Sequence, residues 1–358
     1  MKKKILMINN GFPTKKYPFY CSYIKTIYDL IKDGCKKEVV LLALFPEKSL
    51  KGFYQILDYC SFFLRMLFKD IKEFQFIYIH HPPFCLLILL RLFNSNKKVI
   101  LHWHGNELYS RNIVFKFFRF LTKKSLKLDY KHIVPSEKYA ELLKCEIRDE
   151  LLCQNIIISP SGGVDVSLFS PQFRRMQNVT YSIGFSSHLI LSKGVEFLIE
   201  LIRHKKRIEQ LIGQDVIFHV IDTKNGLNQP MYLEIIRQLD NKVIIHNSYS
   251  HNEMHNFYNE LDLFLMFSKH ESLGLVALEA MSCDIPVIAN NIAPLNEFVI
   301  SGFTGECVNL KDLNRSVEEI ILLIEKVKLN REQYKPREFV MNRFSREIVI
   351  EQYNKIFN

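Results

Sequence analysis

Residues 270–281 read HESLGLVALEAM, and Glu271 and Glu279 are the only charges from 271 to 281. On a helix the two carboxylates would stand about 12 Å apart along the axis. That separation suits the two ends of one elongated ligand and excludes a shared proton. The same spacing also allows a blander reading, with Glu271 as a helix cap and Glu279 in a core salt bridge. The preceding run LDLFLMFS reads as a strand ending at Ser268. Lys269, His270 and Glu271 then occupy the loop beyond its carboxyl end, and Gly274 marks the start of a helix through Met281. Open α/β sheets bind ligands at the carboxyl ends of strands, beside helix N-termini. The first-turn amides near Gly274 and Leu275 would face an anion at the middle of such a ligand.

The elements around this segment must position it. Apolar strands at 4–9, 39–44, 76–79, 99–102 and 133–135 alternate with helical stretches such as 20–33 and 49–72. A second series lies at 181–185, 216–221, 242–245, 261–267 and 285–289. Both read as buried parallel strands of doubly wound sheets. Between them, SPSGGVDVSLFSPQFRR (159–175) is rich in Ser, Gly and Pro and reads as the interdomain linker. The 358 residues thus divide into 1–165 and 166–344, with an amphipathic helix at 345–358.

Several motifs resemble retaining glycosyltransferases of family 4, which have the two-domain GT-B fold. HESLGLVALEAMSCDIPVIANNIAPLNEFVISGFTGECV (270–308) is similar to the family's donor-binding signature, with Glu271, Glu279, Pro286, Glu297, Gly302 and Gly305 in place. Asp284 departs from the family's usual glycine and implies a small change in turn geometry. SGGVDVSLFSP (161–171) resembles the family's linker motif, and WHGNE (103–107) its His-Gly-x-Glu loop. SHLILSKGVEFLIE (187–200) resembles its Gly-Arg-Leu-x-x-x-Lys-Gly motif, with Ser187 and His188 in place of Gly-Arg. FSREIVIEQYNKIF (344–357) resembles the closing helix that returns to the first domain.

The resemblance implies an α/β protein of two Rossmann-like domains facing a central cleft, an N-terminal acceptor domain and a C-terminal nucleotide-sugar domain. Glu271 would bind hydroxyls of the transferred sugar and Glu279 the ribose hydroxyls, since a carboxylate accepts two hydrogen bonds at once. Lys193, with Ser272 and the Gly274 and Leu275 amides, would hold the diphosphate and neutralise the leaving group. His188 would face the same diphosphate with its pKa raised by it, or be a plain loop residue.

In the first domain, Asn10 and Gly11 follow the first strand where the family has a Gly-rich turn. His102 and His104 flank Trp103 at a strand end, at the expected mouth of the cleft. His104, next to Gly105 and near Glu107, is the favoured group to hydrogen-bond the sugar or shuttle the acceptor proton. His80 and His81 end another strand and would line the acceptor pocket.

Charge is uneven. Residues 1–150 hold 27 Lys and Arg against 14 Asp and Glu, while 151–358 hold 21 against 24. VFKFFRFLTKKSLKLDYK (114–131), with Phe115, Phe118, Leu121 and Thr122 at helical spacing, and SFFLRMLFKDIK (61–72) are basic and amphipathic. They fit an anionic membrane surface; nucleic acid is not expected, because no recognition motif accompanies the charge. No apolar run reaches the ~18 residues of a membrane span. No signal peptide is expected, so the reading is a cytoplasmic protein, peripheral on the inner face of the membrane. The eight cysteines show no ligand spacing, so reduced thiols and no zinc site are expected.

The expectation is a retaining, metal-independent glycosyltransferase. It would move a sugar from a nucleotide-diphosphate sugar to a saccharide acceptor, itself lipid-linked, in bacterial surface polysaccharide synthesis. A nucleotide-sugar epimerase of the same fold and a non-catalytic nucleotide-sugar-binding protein are the alternatives.

Overall fold

The computed structural model describes residues 4–16, 21–45, 53–92, 95–109, 113–172, 179–222, 229–240 and 242–358. Residues 20, 49–52 and 173–175, at the edges of two expected helices and the expected linker, lie outside them. The chain forms two compact units, Met1–Gly163 with Arg346–Asn358, and Val164–Ser345.

In the first unit, β1 (Lys4–Asn9), β2 (Glu38–Ala43), β3 (Phe76–His80), β4 (Lys98–His102), β5 (Lys131–Val134) and β6 (Ile156–Ile158) form one sheet. Its order is β2-β1-β3-β4-β5-β6, with every pairing parallel. Parallel strands need helical crossovers that cover both faces, which is why β3 is buried at every position. The last helix, Arg346–Ile356, belongs to this unit. There the Tyr353 and Tyr78 hydroxyls meet at 2.8 Å, and the Cys35 thiol donates to the Ile350 carbonyl.

In the second unit, β7 (Thr180–Phe185), β8 (Asp215–Asp222), β9 (Ile244–Asn247), β10 (Leu263–Met266), β11 (Val287–Asn290) and β12 (Gly305–Val308) follow. Their order is β12-β11-β10-β7-β8-β9, again all parallel. Two doubly wound α/β domains are thus present. Strand order reverses between β1 and β3 in one unit and between β7 and β10 in the other. Sequence patterning missed the sixth strand of each sheet. β6 is three residues long. β12 opens on Gly305, where a Cβ would lie 2.0 Å from the Val287 carbonyl oxygen, so close sheet packing there excludes a side chain.

Asp284, where the resemblance implies a glycine, has φ 63°, the left-handed conformation that glycine adopts freely. Arg331 Nη2 donates to the Asp284 carboxylate at 2.8 Å and holds it there. Asp284→Ala, which loses this bond and keeps the strained φ, should unfold at a lower temperature than Asp284→Gly. A difference of about 1 kcal/mol in thermal melts is expected.

Candidate active site

The loops after β7 and β10 flank the point where strand order reverses, the usual ligand position of such sheets. The first loop carries His188 and Lys193. Lys193 ends a tight turn, Leu191–Lys193, and Gly194 follows with φ 76°. A Cβ on Gly194 would lie 2.5 Å from the Phe267 side chain, just past the end of β10, so the loops can approach only through glycine. The Lys269 amide donates to the Ser192 carbonyl at 2.9 Å, and Lys269 Nζ meets Glu196 at 2.7 Å. These contacts fasten one loop to the other. Across them, the Lys193 ammonium pairs with the Glu271 carboxylate, both part-buried.

Ser272 is half-buried beside that pair. Gly274, at φ 93°, precedes the helix Leu275–Ser282, so the amides of Gly274 and Leu275 open its first turn. Partial desolvation first, then the Lys193 charge, holds the His188 pKa below its ordinary value. The Lys193 charge is therefore felt at His188.

Glu279 lies farther along the same helix and is 7% exposed. Tyr258, on the helix Met254–Asn259, donates its hydroxyl to Glu279 Oε2 at 3.0 Å. Among the described residues, the basic side chain near Glu279 is His251, with Nδ1 3.7 Å from Oε1. Among the described residues no Lys or Arg pairs with Glu279, so the alternative of a core salt bridge rests on His251. Burial pushes the Glu279 pKa up to about 8, and the Tyr258 bond only partly opposes it. Spacing alone could not reveal Tyr258 and His251, which reach Glu279 through the fold.

In the first unit, His80, His81, His102 and His104 cluster at the carboxyl ends of β3 and β4. His80 Nδ1 and His104 Nε2 are 2.8 Å apart, and the His102 and His104 rings stack with centroids 4.1 Å apart. Burial first, then the neighbouring rings, lowers the pKa of His80, His102 and His104 well below the ordinary value. His102, expected at the cleft mouth, is instead wholly buried, with Nδ1 2.6 Å from the Tyr78 hydroxyl. The sheet explains this, since His102 is still inside β4 and pairs with His80. His104 is 9% exposed. Its amide donates to Glu107 Oε1 at 2.6 Å, and Glu107 Oε2 lies 3.3 Å from His81 Nδ1. Burial pushes the Glu107 carboxyl up, but the His81 charge and hydrogen bonds outweigh it and lower the pKa. Gly11 is buried, and its carbonyl accepts from the Asn9 side chain. The structure thus gathers His188, Lys193, Glu271, Ser272, Gly274, Leu275 and Glu279 in one unit, and Gly11, His102, His104 and Glu107 in the other.

The raised Glu279 pKa has a consequence for stability. The unfolded chain releases this proton near pH 4.5 and the folded chain only near 8. Its contribution is therefore complete below about pH 4.5 and is lost as pH rises through about 8. Glu279→Gln should remove that loss. Denaturant melts should show wild type falling relative to the variant between pH 5 and 8, by on the order of a few kcal/mol.

Residues 170–337 match the family model "Glycosyl transferases group 1". The capsular polysaccharide biosynthesis glycosyltransferase CapM of Staphylococcus aureus is 28% identical over 54% of this chain and 50% of its own length. The lipopolysaccharide 1,2-N-acetylglucosaminetransferase of Salmonella typhimurium is 22% identical over 92% of this chain and 85% of its own. Among solved structures, Anabaena Alr3699/HepE in complex with UDP-glucose superposes with a TM-score of 0.71 at 16% identity, covering 98% of each chain. The fold is the two-domain α/β GT-B fold, and together with the matched segment and the relatives it supports a glycosyltransferase of bacterial polysaccharide synthesis.

Proposed function

We propose that the protein is a retaining, metal-independent glycosyltransferase of family 4. It moves a sugar from a nucleotide-diphosphate sugar to a hydroxyl of a saccharide acceptor, lipid-linked, in surface polysaccharide synthesis. The observation that carries this reading is the Lys193–Glu271 pair across the β7/β10 switch point, beside the Gly274 helix start. The relatives support the donor class, since HepE was solved with UDP-glucose.

In this reading the donor lies along the helix Leu275–Ser282. Glu279 takes the ribose hydroxyls and the amides of Gly274 and Leu275 face the diphosphate. Lys193 turns from Glu271 toward the leaving phosphate and offsets the charge that grows as the glycosidic bond breaks. Glu271, relieved of its partner, accepts from sugar hydroxyls. A departing phosphate oxygen takes the acceptor proton as the new bond forms on the same face, which retains the anomeric configuration. His188 strengthens its hold on the phosphate by gaining a proton from solvent. In the other unit, His104 is neutral and suits hydrogen bonding to a sugar hydroxyl better than service as a charged acid, with Glu107 fixing its loop.

Lys193→Ala and Glu271→Ala should each lower kcat by about a hundredfold or more with an added saccharide acceptor. Transfer should survive EDTA, and the product should keep the donor's anomeric configuration by NMR. Transfer at full rate in both variants would overturn the assignment. Product formed from the nucleotide sugar alone would indicate an epimerase, and binding without any turnover a non-catalytic protein.

The acceptor side is proposed to meet an anionic membrane. Among the described residues, no helix is long and apolar enough to cross one. The helices Phe53–Phe68, Leu86–Leu92 and Ile113–Lys124 pack side by side. They expose Leu64, Phe68, Leu90, Ile113, Phe117 and Phe120, the largest at 81%. Lys116 and Lys124 are exposed among them. The apolar face differs from the expected one, because Arg119 turns inward and donates to the Glu107 and Leu108 carbonyls. The Phe115 side chain lies outside the described residues. Wild-type protein should co-sediment with phosphatidylglycerol vesicles at low salt and several-fold less with phosphatidylcholine vesicles. Phe117→Ser with Phe120→Ser should abolish most of that binding.

A further inference from the structure

A second constellation, apart from the proposed donor site, lies at the far edge of the second sheet. His219 points from β8, His246 from the edge strand β9, and Glu260 follows the helix Met254–Asn259. His219 Nδ1 is 3.0 Å from His246 Nε2 and 3.5 Å from Glu260 Oε2, and His246 Nε2 is 3.8 Å from that same oxygen. The structure assigns these three atoms as a binding site for a divalent transition-metal ion of the zinc and cobalt type.

The distances carry the assignment. A tetrahedral ion with bonds of about 2.0–2.1 Å holds its ligand atoms about 3.3 Å apart. The three separations bracket that value, so an ion fits with small side-chain shifts. Two imidazoles and one carboxylate are a borderline donor set that favours zinc-like ions over magnesium or calcium, which require mostly oxygen. The second ring nitrogen of His246 already has a partner, with Nδ1 2.9 Å from the Tyr249 hydroxyl. Such an outer contact fixes the ring so that Nε2 faces the ion. The Glu260 side chain is 48% exposed, which gives the ion an entry path and leaves a fourth position for water.

The ligands are 27 and 14 residues apart in sequence. No motif spacing joins them, which is why no zinc site was expected from the cysteine and histidine pattern. The ion would fasten an edge strand to the end of the helix that carries Tyr258, the donor to Glu279. Its role is structural, and the inference does not rest on the proposed transfer reaction.

Cobalt(II) chloride titrated into EDTA-stripped full-length protein should give visible d–d absorption that saturates at one added equivalent, and zinc sulfate should displace it. Excess zinc should raise Tm by a few degrees. His246→Gln and Glu260→Gln should each weaken cobalt binding by about a hundredfold and remove the zinc-dependent Tm shift. Glu260 is exposed, so its variant keeps the test valid even where His246→Gln unfolds. Glu260→Gln protein that binds cobalt with wild-type affinity, or wild-type protein that binds none at micromolar concentration, would overturn the assignment.

Discussion

The Lys193–Glu271 ion pair joins the loops that follow the paired strands β7 and β10, and much of the second unit holds those two loops in place. A parallel sheet closes its neighbouring loops with crossovers, except where strand order reverses and two loops diverge to opposite faces. Here those loops are kept close without being sealed. Gly194 removes the Cβ that would strike Phe267, and the Lys269 amide bonds the Ser192 carbonyl. Opposite charges then meet where no ligand backbone need intrude. A part-buried pair of this kind contributes little net stability.

Glu279 shows the opposite economy. It sits in an apolar helix, one hydroxyl and one distant imidazole serving as its polar surroundings. Burying a carboxylate with so few donors costs stability, which its raised pKa expresses. Two donor hydroxyls on a ligand would repay part of that cost. The same logic of an underserved buried group recurs in the first unit. There, His80, His102 and His104 stay neutral because burial and crowding of like rings both oppose protonation.

The two units share one architecture but use it differently. Both sheets have six parallel strands and one reversal point. The second places charged and glycine residues beside that point. The first places aromatic and imidazole rings there, and outside them an apolar, basic surface on three adjacent helices. A polar nucleotide and an amphiphilic acceptor would ask for this division.

Much of this was legible in the chain. Alternating apolar runs predicted the doubly wound sheets, because strands buried on both faces must be continuously apolar. HESLGLVALEAM announced a loop, a helix start and two carboxylates, one in the loop and one within the helix. The motif matches placed Lys193 and Glu271 in one site, though 78 residues separate them. Tertiary structure alone decided the rest. It buried His102 within β4 and turned Arg119 inward from a face that periodicity had read as polar. It kept the glycine-like turn at Asp284 by supplying Arg331. It also gathered His219, His246 and Glu260 from two strands and a helix end. Local sequence sets which backbone a segment prefers, but which side chains meet across elements depends on strand order, and that is settled only when the sheets assemble.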